Sequence, residues 1–200
     1  MTVLAPKPRH VLTSIALLAL ATPLIAAPFG LRLGAELSEL KIETEPVVPG
    51  KYIVDSVPRP HSAFDKYVLQ VAPQIGLCWI KAIGNEIATS SHGIQLRTAF
   101  EDMQGKLASS YGDSELTDFL LTGSLWDAPE HFMMGLLKKE RLLAAEWSRQ
   151  HGSELPEDID KIFLAIQPSG TDSGFLVIEY SLSNFEACEA AIARQEDSAL

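Results

Sequence analysis

The chain has 200 residues, with 16 Lys and Arg against 26 Asp and Glu and a formal charge of −10. An acidic balance of this size repels phosphate backbones and anionic lipid headgroups, which argues against nucleic acid and membrane surfaces as partners and leaves a cationic ligand or another protein. Two cysteines and the composition of an ordinary globular chain exclude a disulfide-dense miniprotein and a low-complexity polymer.

In chain order, the first feature is Lys7, Arg9 and His10 ahead of an uncharged apolar run from Val11 to Ala26. The run falls short of the roughly 20 apolar residues a spanning helix needs, and Pro23 interrupts it, so the reading is a cleavable signal peptide over residues 1–26. Small residues Ala26 and Ala27 close it, and no cysteine stands there to be acylated. The expected product is one soluble domain, residues 27–200, periplasmic or secreted and without stable membrane insertion. Loss of Lys7 and Arg9 leaves 14 Lys and Arg against 26 Asp and Glu, a net charge of −12.

Phe29 to Leu33 alternates as a short strand would, and Glu36 to Lys41 has room for one helical turn. Four prolines (Pro46, Pro49, Pro58 and Pro60) flank Tyr52–Val57, which predicts a strand at a sheet edge, since proline cannot donate to a central ladder. Then comes an internal echo. Asp65-Lys66-Tyr67-Val68-Leu69-Gln70-Val71-Ala72-Pro73 returns as Asp160-Lys161-Ile162-Phe163-Leu164-Ala165-Ile166-Gln167-Pro168, and each copy is followed by a Gly-led apolar run, from Gly76 and from Gly174.

These pairs predict two β-hairpins. After the first, Leu96, Phe100, Met103, Leu107 and Tyr111 recur at helical spacing up to Gly112; after the second, Asn184 precedes a helix carrying Phe185, Cys188, Ala191 and Ile192. The fold class expected is α+β: an antiparallel sheet of two ββα-like units, helices on one face, and a helical insertion between them. In that insertion Ser114–Leu121 reads as a short helix. Asp127-Ala128-Pro129-Glu130 resembles a capping box opening a longer one, whose stripe of Phe132, Met133, Leu136, Leu137, Leu143, Ala144 and Trp147 runs to Gly152.

Cys78 and Cys188 are expected to pair, closing a loop of about a hundred residues worth on the order of 4 to 5 kcal/mol. Strand alternation places Cys78 on the face of Ile80 and Ala82.

Catalytic motifs are lacking: His61, His92, His131 and His151 form no metal-ligand spacing, and Thr122-Gly123-Ser124-Leu125-Trp126 lacks the second glycine of a nucleophile elbow. Ser91 and His92 are chain neighbours, unlike a nucleophile and its base, and no phosphate-binding or dinucleotide fingerprint occurs. No catalytic residue, cofactor or metal is assigned. The surface singled out for binding is the loop around Trp126, Pro129 and His131. The expected function is a non-enzymatic binding or envelope-associated accessory protein that takes another envelope protein or a cationic ligand. The alternative is a hydrolase with a site assembled from dispersed residues.

Overall fold

The computed structural model describes residues 28–198, so the signal peptide read over 1–26 lies outside the described residues. The elements run α1 (Leu37–Leu40), β1 (Glu45–Val48), β2 (Lys51–Val54), β3 (Phe64–Ala72), β4 (Gly76–Gly84), β5 (Ile87–Ala88), α2 (Ile94–Tyr111), β6 (Glu115–Leu120), α3 (Phe132–Leu137), β7 (Arg141–Ser148), β8 (Ile159–Pro168), β9 (Ser173–Leu182) and α4 (Phe185–Asp197). The strands form one antiparallel sheet in the order β1-β2-β3-β4-β9-β8-β7-β6, with β5 added on β9. The fold is α+β, as expected.

Both predicted hairpins are present, and their registers agree. Tyr67, Val68 and Leu69 stand opposite Ala82, Lys81 and Ile80, while Ile162, Phe163 and Leu164 stand opposite Tyr180, Glu179 and Ile178. The second strands of the hairpins pair with each other around Lys81 and Glu179, so the two halves meet at the middle of the sheet. Tyr67, Leu69, Ile80, Ile162, Leu164, Ile178 and Tyr180 therefore share one face, and the apolar side of α2 (Leu96, Phe100, Met103 and Leu107) covers it to make the main core.

The two long helices do not share that face. Between Gln70 opposite Trp79 and Val71 opposite Leu77 the register slips by one residue, leaving Cys78 as the bulged position. A bulge sends two successive side chains to the same side. Cys78 thus joins Trp79 on the face opposite Ile80 and Ala82, and there it meets Cys188, Phe185, Ala191 and Ile192 of α4. The alternation argument for Cys78 fails at this one extra residue, and with it the expectation of helices on one face. The pairing itself is present: Cys78 and Cys188 are bonded with Cα atoms 6.2 Å apart. Asn184 stands at the N-cap of α4, but its amide donates instead to the carbonyls of Ile75 and Leu77, tying the helix start to the β3–β4 turn.

Between the hairpins the structure departs from the sequence reading. Ser114–Leu121 is not a helix but the edge strand β6, and the long helix expected to reach Gly152 is the six-residue α3 followed by β7. Lys139, at φ 59°, turns the chain after α3, and from there Leu143, Ala145 and Trp147 alternate into the core. The turn before α3 opens at Ala128 without a side-chain cap, so Asp127 and Glu130 form no capping box. Phe29 and its neighbours make a short 3-10 turn rather than a strand, and β1, outside β2, takes the sheet edge.

Past that turn the N-terminal segment is laced to β4 through Gly34 N–H to the Leu77 carbonyl and Leu77 N–H to the Ala35 carbonyl, both 2.9 Å. This approach requires Gly76: its φ is +76°, and a β-carbon there would collide with the Gly34 carbonyl.

One core residue is imperfectly matched. Tyr67 is 1% exposed, and among the described residues its hydroxyl has no partner at normal hydrogen-bond geometry, the His61 backbone lying close by. A buried unsatisfied hydroxyl costs roughly 1–3 kcal/mol, so Tyr67→Phe is expected to raise stability by about 1 kcal/mol, read as a higher urea midpoint with an unchanged slope.

Burial also raises the phenol pKa values of Tyr67, Tyr111 and Tyr180 above the ordinary tyrosine value. A raised folded-state pKa means the unfolded chain loses these protons first, so their contribution is complete below about pH 10 and is lost as pH climbs above it. Thermal denaturation between pH 9 and 12 should show that decline, and Tyr180→Phe should flatten it.

Candidate interaction surface

Among the described residues, the edge strand β6 pairs with β7 alone. Leu116, Asp118 and Leu120 lie opposite Ala145, Leu143 and Arg141 on the core side, while Glu115, Thr117 and Phe119 lie opposite Glu146, Ala144 and Leu142 on the other. At the edge, Leu116 on one side and Phe119 on the other both remain about half exposed. Leu121 and Leu125 in the following turn, the latter 82% exposed, and Leu142 on β7 extend the patch. Among the described residues these are five of the eight exposed large apolar side chains, so the apolar exposure is concentrated rather than scattered. Scattered single residues would need no explanation; a concentration along one edge of the sheet does.

The two acids of β6 both have partners within the chain. Asp118 forms an ion pair with Arg141 at 3.0 Å, and the Glu115 carboxylate lies 2.9 Å from the Nε2 of His151. What the strand offers a partner is therefore its main-chain edge and its apolar side chains, with Asp113, Asp127 and Glu130 exposed in the flanking segments.

Trp126 and His131 are brought together at the end of this patch. Their rings meet edge to face with centroids 5.5 Å apart. Both are half-buried, and Trp126 lies over Gly135 of α3. The Nδ1 of His131 is buried without a partner. The guanidinium groups of Arg97 and Arg141 both stand over the ring of the next residue, Phe132, at 5.2 and 5.1 Å from its centroid. Trp126 thus anchors the loop to α3 while its neighbour Leu125 projects.

The residues the sequence reading missed are Leu116, Phe119, Leu121, Leu125 and Leu142. Their signal was present, because Phe119-Leu120-Leu121 and Leu125 bracket the Thr122-Gly123 turn, where no helix or alternating strand could bury them all.

The sheet face away from α2 carries a buried cluster of its own. There Ala144, Ala165 and Val177 form a small cluster flanked by Phe163 and Phe175, whereas α4 packs over β3 and β4.

No protein family, characterised protein or solved structure matches this chain. The functional reading therefore rests on the geometry.

The other candidates do not assemble. Among the described residues no group of three or more His, Cys, Asp or Glu side chains could hold a metal ion. Ser91 and His92 lie in the exposed turn before α2, where the Ser91 carbonyl accepts from the Met133 amide. Among the described residues, no helix is long and apolar enough to cross a membrane.

Proposed function

We propose that this chain is an exported, non-enzymatic accessory protein that binds another protein by adding an extended segment of it to the β6 edge. The observation that carries this reading is the contrast between the two edges of one sheet. β1 is four residues long, contains Pro46 and has an irregular register against β2. These are the devices by which natural sheets block strand addition. β6 has six residues, no proline and an unbroken register with β7. It is the edge left open, and apolar side chains flank it on both sides.

Strand addition supplies affinity through main-chain hydrogen bonds, with side-chain pockets setting specificity. The partner segment should carry apolar residues at alternate positions to meet Leu116 and Phe119, and basic residues to complement a mature charge of −12. The same charge disfavours a second copy of this chain. The proposal also takes the sheet as a duplicated hairpin, which the matched registers support; β6 and β1 then occupy equivalent outer positions with only β1 blocked.

The test is photo-crosslinking in the native compartment, with a photoreactive residue at position 125 or, as a control, at exposed Glu101 on α2. A discrete adduct with another protein from position 125 alone is expected. No adduct, the same adducts from both positions, or an adduct only with a second copy of this chain would overturn the proposal.

A further inference from the structure

Away from the β6 surface, two cavities of about 220 and 230 Å³ lie side by side along α2 and share Met103 and Lys106 in their walls. The second is apolar inside, bounded by Phe29, Phe64, Leu107 and Ile178, with His61, Lys106, Ser110, Tyr111 and Tyr180 as its polar residues. Among the described residues its lining holds no carboxylate, and its charged group is Lys106. In a chain with 26 acidic residues this is a local reversal of sign. The adjoining cavity admits a single acid, Asp102.

The aromatic wall is built rather than incidental. Phe29 meets Phe64, Tyr67 and Tyr180 edge to face, with centroids 5.9, 5.0 and 5.9 Å away. It holds a φ of 61°, a left-handed conformation that costs a non-glycine residue on the order of 1–2 kcal/mol. Its carbonyl accepts from the Arg59 amide at 2.9 Å. Strain of this kind persists only where the surrounding structure over-determines the residue's conformation.

We propose that this cavity binds a medium-chain carboxylate, with the hydrocarbon body among Phe29, Phe64, Met103, Leu107 and Ile178 and the carboxylate at Lys106. The cavity is open to solvent along one side, and its roughly 230 Å³ has room for a body of about eight carbons, taking a methylene to occupy about the 30 Å³ of a water molecule. Apolar walls with a few placed polar groups are the usual construction of a small-molecule site. The charge at the rim selects the anion over its neutral analogue.

The experiment titrates the mature protein with sodium octanoate and separately with octanol, following the Met103 methyl resonance and the heat of binding. Octanoate should give a saturable shift of Met103. Lys106 is exposed, so Lys106→Gln leaves the core intact and should weaken octanoate binding about five-fold, the scale of an exposed ion pair, without changing octanol binding. Lys138→Gln, on the segment after α3, should change neither. Absence of a saturable Met103 shift would overturn the proposal, and so would octanoate binding that does not respond to Lys106→Gln. Neither result bears on the β6 surface, which shares no residue with this cavity.

Discussion

Reduction of the Cys78–Cys188 bond is expected to lower the folding free energy by about 4–5 kcal/mol, the chain-entropy value for a loop of this length. The two cysteines are separated by 110 positions, so the bond constrains more than half of the chain in the unfolded state. Against a total of roughly 5–15 kcal/mol for a domain, this is a large share. The native structure shows why the loss should centre on α4. Cys188 is the one buried residue of that helix, and its other contacts (Phe185, Ala191 and Ile192 against Trp79 and Ile75) are half-buried. Gln70, buried on β3, also reaches the Glu189 carboxylate, so a loosened α4 would leave that amide without its partner. Urea unfolding with and without reductant, with thiol labelling to verify the redox state, measures the difference. Amides of residues 185–197 should be the first to gain exchange on reduction. Equal midpoints in the two states would contradict this account.

Phe119→Ser is expected to weaken binding of the partner captured at position 125 by about 30-fold or more, the effect of losing an interface anchor worth 2 kcal/mol or above. The side chain is half exposed in the free protein, so its loss should change stability by no more than about 0.5 kcal/mol. Val47→Ser is the matched control: Val47 is equally exposed, but it stands on β1 beside Pro46. Titration of both variants with the isolated partner should show a large loss for Phe119→Ser and none for Val47→Ser.

The hairpins were legible because period-two alternation, turn glycines and the repeated Asp-Lys start all point the same way, and the core needs those residues on one face. The course and stop of α2 were legible for a similar reason: Leu96 to Leu107 are buried at helical spacing, and Gly112 adopts the positive φ that ends the helix. The insertion was not. In Phe132–Trp147 the apolar residues satisfy a helical period until Lys139 takes a left-handed conformation, and a lysine announces no such break. β6 carries no alternation because an edge strand open on both sides has no buried face to impose one.

Which face Cys78 occupies depended on a single bulged residue, invisible to an argument from alternation. Of the interaction surface, Trp126 and His131 stood out as large side chains beside a turn. Leu116 and Phe119 fell inside a segment whose sequence reads as a short helix, and their exposure follows from its being the last strand of the sheet instead.

The most direct measurement of the central claim is hydrogen exchange on the complex, comparing residues 115–121 with residues 45–48 in the free and bound protein. The β6 amides that face outward have no strand to pair with in the free protein, and an added strand should slow them by at least ten-fold while leaving β1 unchanged. Protection that appears on β1 or on α2, with none at 115–121, would contradict the assignment of β6 as the docking edge.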